Sequence, residues 1–375
     1  MHDSLEFLRE PLSQRVEVQA HARLHLGFFD LHGGLGRRFG SLGVALDGLS
    51  TRVLARPADE TSASGPRAER AVAYARLALA HLEQSLGRRE GARHGVAIEL
   101  SQALPEHAGL GSGTQLALAV GSAVARLQGL RWPGRSMAAV LDRGRRSGIG
   151  LGTFEQGGFV VDGGHAEADS RPPSVIARLP FPQDWRWVLV FDDHHQGLSG
   201  PAERQAFARL PCFPEDQAAQ LCRLVLMQLL PALAEGDIDG FGRAVTTLQD
   251  CVGDHFAAAQ GGRYASTRVA RVLQVFRRAG AAAVGQTSWG PTGFALAASV
   301  TQARALVDAA CASRLEPGLR LQICAARNRG ADIVAHTIRP EHAELAPSTL
   351  LPHAHAARAA GQASAAAPAR VPARV

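Results

Sequence analysis

The stretch "LPEHAGLGSGTQLALAV" at positions 104–120 constrains the fold more than any other. Gly109, Gly111 and Gly113 cluster there around Leu110 and Ser112, and glycine is costly to order, so such a run marks a turn or a close approach. Beyond Thr114 the apolar residues Leu116, Val120, Val124 and Leu127 recur at helical spacing. Ser112 or Thr114 is a candidate cap for that helix. A glycine-rich turn feeding a helix aims free backbone N–H groups and the positive end of the helix dipole at one point, which suits a phosphate. The same glycines also let a strand and a helix pack closely, so the loop alone leaves both readings open.

At 375 residues and 46% hydrophobic, the chain is long enough to build two domains around substantial cores. Its formal charge is +6, and every basic residue is an arginine, with no lysine anywhere. A Walker-type phosphate loop needs its lysine and a pyridoxal phosphate enzyme needs a lysine Schiff base, so both classes are excluded. Arginine's planar fork suits carboxylates and phosphates, which keeps small anionic substrates in view. The arginines are dispersed among acids, aromatics make up 5%, and no recognition motif appears, so no nucleic-acid partner is expected.

Cys212, Cys222, Cys251, Cys311 and Cys324 form no metal spacing, and their scatter points to a reducing compartment. "MHDSLEFLREPLSQRVEVQA" mixes charges without a long apolar run, and apolar windows elsewhere are interrupted by Arg, Asp or Gln well short of about 20 residues. The expectation is a cytoplasmic protein with no secretory signal and no membrane span.

Along the chain, alternation through Val16, Val18, Ala20, Ala22, Leu24 and Leu26 predicts a strand ending in a turn at Gly33 to Gly36. Strands are expected at "SLGVALDG" and "TRVLARP", a helix at "ERAVAYARLALAHLEQSLG" and a strand at "HGVAIELSQALP". A second helix is expected around "SMAAVLDRGRRSGIG", then a strand-like "TFEQGGFVVDGG". The proline-rich stretch 171–183 reads as the join between domains 1–175 and 185–336. "DWRWVLVFDD" restarts a strand, helices follow to about residue 279, and "GAAAVGQTSWGPTGFALAAS" reads as a loop between two elements. The Ala-, Pro- and Arg-rich tail, 340–375, is expected to be disordered, and its His353 and His355 are expected to be solvated.

A strand, then "LPxxxGLGSG", then a helix, with a second glycine-rich loop further on, resembles the GHMP superfamily of galactokinase, homoserine kinase and mevalonate kinases. Within it, "ARLHLGFFDLHGGLGRRFGSLGVAL", "GLGSGTQLALAV", "RRSGIGLGTFEQGGFVVDGG" and "GQTSWGPTGFAL" resemble, in order, the β-ribofuranosylaminobenzene 5'-phosphate synthase branch. The likeness runs over most of residues 16–336. It implies an α+β, GHMP-kinase-like two-domain fold with a ligand cleft between the domains. It also implies condensation of phosphoribosyl pyrophosphate with 4-aminobenzoate or 4-hydroxybenzoate, releasing pyrophosphate and carbon dioxide, toward tetrahydromethanopterin-type cofactors. A homodimer is implied as well. Kinases of the superfamily usually carry a second serine where this chain has Gly113, and small residues where it has Trp289, so both departures favour the synthase over an ATP-dependent kinase.

That reaction assigns roles. Gly109, Gly111, Ser112, Gly113, Thr114 and Gln115 are expected to bind the pyrophosphate. Mg²⁺ on the leaving group would be held by only one or two carboxylates, with Asp30, Glu155 and Asp162 as candidates. Arg23 and His25, two apart on one strand face, are candidates for holding the benzoate carboxylate or the 5-phosphate, although an exposed sheet face would also explain them. Glu155 and Gln156 are catalytic candidates that would equally suit a plain turn. Gln286, Thr287, Ser288, Trp289, Thr292 and Gly293 form a polar cluster expected to contact substrate, although a buried Trp is equally at home in a core. "VLVFDDHHQGLSG" resembles the ribose-holding loop of ordinary phosphoribosyltransferases, but its spacing is off. Asp192 and Asp193 are therefore read as a strand end, with His195, Ser199 and Glu203 as candidates for lining the site.

Overall fold

The computed structural model describes residues 7–86, 94–166, 169, 171–198 and 200–337. Ser199 and the tail from 338, with His353 and His355, lie outside the described residues. The chain opens with β1 (Leu8–Arg9) and the long β2 (Ser13–Asp30), turns through residues 31–36 and returns as β3 (Gly40–Ala58). β4 (Ser62–Ser64), α1 (Ala68–Leu86) and β5 (Gly95–Gln102) follow, and the glycine loop leads into α2 (Ser112–Leu127). Next come β6 (Leu130–Arg131), α3 (Gly134–Val140), α4 (Ile149–Glu155), β7 (Phe159–Asp162) and β8 (Val175–Leu179). β9 (Arg186–Asp192) precedes a helical region of α5 (Gly200–Arg209), α6 (Glu215–Leu224), a π-helical turn Val225–Leu229, α7 (Leu230–Glu235), α8 (Ile238–Gln260) and α9 (Thr267–Arg278). β10 (Ala283–Gln286), β11 (Gly293–Ala297), α10 (Val300–Ala312), β12 (Leu319–Ala325) and β13 (Asp332–Thr337) complete it.

The strands build a seven-stranded sheet, in which β13, β2, β3, β5 and β4 lie side by side and β7 bridges β3 to β8, and a four-stranded sheet ordered β10-β11-β9-β12. With helices packed on sheets that are antiparallel except for the parallel β4–β5 pair, this is the expected α+β class. β13 leaves the second sheet's neighbourhood and pairs with β2, so the last described strand closes the first sheet.

β2 and β3 serve two halves of that sheet at once. Residues 16–21 of β2 pair with 50–55, and residues 23–30 pair with 40–45, with register shifts after His21, His25 and Phe28. Such bulges bend a strand and re-aim its side chains, here on either side of Arg23 and His25. α2 is lined by Ala117, Ala119, Gly121, Ala123 and Ala125, all buried. A helix apolar on every side belongs in a core, and its small residues let α1, α3 and the sheet close on it. One core unites α1, α2 and the first sheet, another α9, α10 and the second. Phe28, Phe159, Trp187, Phe241 and Leu248 belong to a third, shared by both sheets and α8.

Several expectations need correction. The helix expected around 136–150 is two short helices, because Asp142 and Gly144 take positive φ and break it. The proline-rich join contains β8, paired with β7. The segment read as a loop, 280–299, is the β10–β11 hairpin, whose Ala- and Gly-rich strands are buried on both faces and so show no alternation. The helical run Glu215–Glu235 is apolar and long enough by composition to cross a membrane, yet its Leu221, Val225, Leu229 and Leu233 belong to the shared core.

Gly43, paired with His25, shows how tightly β2, β3 and α4 approach. A Cβ there would lie 2.3 Å from the Leu24 carbonyl oxygen and 2.5 Å from Ile149 Cγ2. Gly43→Ala should therefore lower stability by about 1–3 kcal/mol, read as a lower urea midpoint at unchanged slope.

Candidate functional site

The glycine loop ends in a helix with a bare N-terminus. The residue before α2 is Gly111, at φ 80, and no side chain caps the helix, so neither Ser112 nor Thr114 plays the expected role. Its first N–H groups are left for water or a ligand. Thr114 and Gln115 instead turn toward α4: a Cβ on Gly150 would lie 2.9 Å from Thr114 Cγ2, and Gln115 Nε2 donates to the Gly150 carbonyl at 2.9 Å.

Three elements meet at this loop through one hydroxyl. Thr287 Oγ1 donates to the Gly109 carbonyl at 2.8 Å and accepts from the His25 backbone N–H at 2.9 Å. Gly109 must be glycine, since a Cβ would lie 2.3 Å from the Thr287 carbonyl oxygen. The Ser288 N–H donates to the His25 carbonyl at 3.3 Å, and Ser288 sits at φ 55, a left-handed conformation uncommon outside glycine that recurs at functional sites. Gln286 completes this corner by accepting from the Ala265 N–H and donating to Gln260.

Arginines ring the loop. Arg23 donates through Nη1 to the Gly109 carbonyl, and a Cβ on Gly111 would lie 3.1 Å from its Nε. On the other side, a Cβ on Gly113 would lie 3.0 Å from Arg70 Nη2 and 3.9 Å from Arg143 Nη1. Glu106 anchors Arg70 at 2.6 Å and Arg67 at 2.7 Å, while Arg143 stacks on Tyr74 at 5.3 Å. Burial lowers Arg23 to about 10, with Glu203 opposing, so it stays a cation at neutral pH. Burial, then the nearby Arg23, lowers His25 to about 3, so its imidazole is neutral. Its Nδ1 is buried with no hydrogen-bond partner among the described residues. Arg70 and Arg143 escaped the sequence reading because nothing local marks them: they come from α1 and from the break after α3.

The structure thus brings together Arg23, His25, Gly109, Gly111, Gly113, Gln286, Thr287, Ser288 and Trp289. Ser112 begins α2 beside them. Thr292 accepts the Thr287 N–H at 3.0 Å, and Gly293 backs onto Val269 of α9. Glu203 accepts from Trp289 Nε1 at 3.1 Å and pairs with Arg146 at 2.7 Å. The Gly197 N–H donates to the His107 carbonyl, tying the loop after β9 to the glycine loop, with His195 nearby in sequence. Asp192 does end β9, held by Ser266 at 2.7 Å and Arg268 at 2.8 Å, and Asp193 pairs with Arg320.

The remaining candidates have other neighbours. Glu155 accepts from the Gly134 N–H, its backbone and that of Gln156 pack near 329–331 and Arg178, and burial raises its carboxyl. Asp30 Oδ1 accepts from the His32 and Gly33 N–H groups, closing the turn after β2. Asp162 accepts from Ser41, Ser147, Gly148 and Gly164, and burial raises it to about 6. These carboxylates fasten turns, and no grouping of three or more His, Cys, Asp or Glu among the described residues could hold a metal ion. The residues present therefore do not fit a protein-built Mg²⁺ cage.

Models of the GHMP kinases N-terminal domain and of the GHMP kinases C-terminal region match residues 73–157 and 229–314. β-Ribofuranosylphenol 5'-phosphate synthase from Archaeoglobus fulgidus is 33% identical over 331 residues, covering 85% of this chain and 99% of the relative. The protein of that name from Methanothermobacter thermautotrophicus is 31% identical over 339 residues, covering 84% and 98%. The chain belongs to the β-ribofuranosylphenol 5'-phosphate synthase family of the GHMP superfamily. Among solved structures, homoserine kinase from Cytophaga hutchinsonii superposes with a TM-score of 0.61 at 19% identity, covering 86% of this chain and 98% of its own. L. major mevalonate kinase gives 0.59 at 15%, covering 86% and 100%. These likenesses show the shared fold.

A histidine held neutral leaves a signature in stability. Its folded value, about 3, lies below the ordinary 6.5, so its contribution is present above pH 6.5 and is lost as the pH falls toward 3. In urea unfolding below pH 6.5, the wild type should lose up to about 1.4 kcal/mol per pH unit more than His25→Gln. Parallel acid profiles would show that His25 is not neutralised by its surroundings.

Proposed function

We propose that this chain joins phosphoribosyl pyrophosphate to 4-hydroxybenzoate or 4-aminobenzoate, releasing pyrophosphate and carbon dioxide and leaving a β-riboside. The observation that carries this reading is the ring of Arg23, Arg70 and Arg143 around an uncapped helix N-terminus, in a chain of the synthase family. Three guanidinium groups and a row of backbone N–H donors suit a group that leaves with several negative charges. The relatives from A. fulgidus and M. thermautotrophicus carry the phenol in their names, which favours the hydroxybenzoate.

The bonds balance without a proton transfer at the reacting carbon. The ribose C1–O bond breaks and pyrophosphate keeps the electron pair, leaving an oxocarbenium-like centre. The ring carbon bearing the carboxylate, made electron-rich by its para substituent, forms the new C–C bond to C1 from the face opposite the departing group. The C–CO₂ bond then breaks, and its electrons restore the aromatic ring. A site whose buried histidine is neutral and whose carboxylates are committed elsewhere suits such a sequence. Arg23 lies closest to the loop and acts on the leaving group, while the buried surroundings of His25 keep water from the oxocarbenium centre. Mg²⁺ supplied with the substrate would offset the charge that builds on the leaving group.

Purified protein given phosphoribosyl pyrophosphate and carboxyl-labelled 4-hydroxybenzoate or 4-aminobenzoate with Mg²⁺ should release labelled carbon dioxide in step with pyrophosphate. Arg23→Met should lower kcat/KM by about 100-fold or more, as loss of a donor to developing charge does. Background carbon dioxide together with ATP-dependent phosphorylation of a small alcohol would replace this reading with a kinase activity.

A further inference from the structure

Beside the loop, His25 also faces a pocket. It is lined by His25, Phe28, Val252, Phe256, Ser288 and Trp289, among others. Its walls are aromatic and fixed. Trp289 stacks on Phe256 with centroids 4.6 Å apart and planes 30° apart, and its indole N–H is held by Glu203. Phe207 meets both rings edge-on, and His25 lies 4.7 Å from Phe28.

The polar groups of the lining are almost all committed. Gln249 donates to the Leu26 carbonyl at 2.6 Å and accepts from the Gln286 N–H at 2.8 Å, and Gln260 binds the Arg263 carbonyl and the Gln286 amide. Arg263 is the cation of the lining, and its guanidinium is paired with Asp250 and Asp254, each at 2.7 Å. Among the buried side-chain polar atoms of this lining, His25 Nδ1 is the one left unpartnered, on a residue 3% exposed. Buried polar atoms are nearly always satisfied, so an orphan at the edge of a pocket marks a place where a ligand completes the set.

We propose that this pocket is the arene subsite, taking the flat ring of a para-hydroxy- or para-aminobenzoate against the aromatic wall in which Phe28 meets Phe256 edge-on at 6.5 Å and Trp289 stacks on Phe256, with His25 hydrogen-bonded to it. The inference rests on the reading under Proposed function. Flat aromatic walls select a planar ring by offset or edge contacts. The pocket's one guanidinium is already neutralised, so it does not reward a bound carboxylate and gives the ring's carboxylate little to lose on departure. His25 belongs both to this pocket and to the junction that positions the glycine loop, so a ring seated here lies next to a donor held by the arginines.

Val252→Phe, which puts a ring into the pocket, and Phe256→Leu, which keeps bulk but removes an aromatic face, test the proposal through the split between KM and kcat. With phosphoribosyl pyrophosphate saturating, Val252→Phe should raise the KM for 4-hydroxybenzoate by about tenfold or more. Phe256→Leu should raise it by less, and the KM for phosphoribosyl pyrophosphate should stay unchanged in both. An unchanged arene KM in either variant, in a protein that unfolds at the wild-type midpoint, would place the arene elsewhere while leaving the reaction intact. If the wild type releases no carbon dioxide, the reaction itself fails, and calorimetry with 4-hydroxybenzoate alone then decides the pocket. Binding abolished by Val252→Phe would still support an aromatic-acid site, and wild-type binding equal to that of the variant would overturn it.

Discussion

The site depends on the hydroxyl of Thr287. It is buried, with no exposed surface, and spends its proton on the Gly109 carbonyl and a lone pair on the His25 N–H. β2, the glycine loop and the β10–β11 hairpin are far apart in sequence, and this group makes them one object. Losing a buried hydroxyl satisfied on both sides is costly: it strands the His25 N–H away from water and leaves the Gly109 carbonyl to Arg23 alone. Arg23 shares that carbonyl with Thr287, and its own N–H donates to the Leu110 carbonyl at 3.2 Å, so β2 grips the loop beside the hydroxyl, while Glu106 and Tyr74 place Arg70 and Arg143.

The electrostatics depart from what glycine-rich phosphate loops with a lysine do. Here the charge is arginine, spread on two sides of the helix N-terminus, and the central histidine is kept uncharged by burial and by the neighbouring guanidinium. This gradient runs from cationic at the loop to neutral and aromatic at Trp289. It suits a reaction in which one substrate leaves behind a polyanion and the other must shed a carboxylate.

The glycine loop and the helix after it were legible in the sequence because close approach demands glycine and the apolar residues that follow recur at helical spacing. Arg23 and His25 were legible because strand alternation puts both on one face. The β10–β11 hairpin was not, since strands of Ala, Gly and Val buried on both faces lose their period. The partners of the carboxylates were not legible: Asp30 and Asp162 look the same in sequence whatever they bind, and only the structure shows the N–H and O–H donors that they accept from. Arg70, Arg143 and Phe256 reach the site from distant helices and loops, so no local pattern could nominate them.

The claim that one hydroxyl assembles the site is tested most directly by calorimetric titration of phosphoribosyl pyrophosphate into wild-type, Thr287→Ser and Thr287→Val proteins. Serine keeps both hydrogen bonds, so Thr287→Ser should bind within a few-fold of wild type, whereas Thr287→Val should weaken binding by about tenfold or more. Equal affinity for all three would show that the loop holds its shape without Thr287 and would contradict the account.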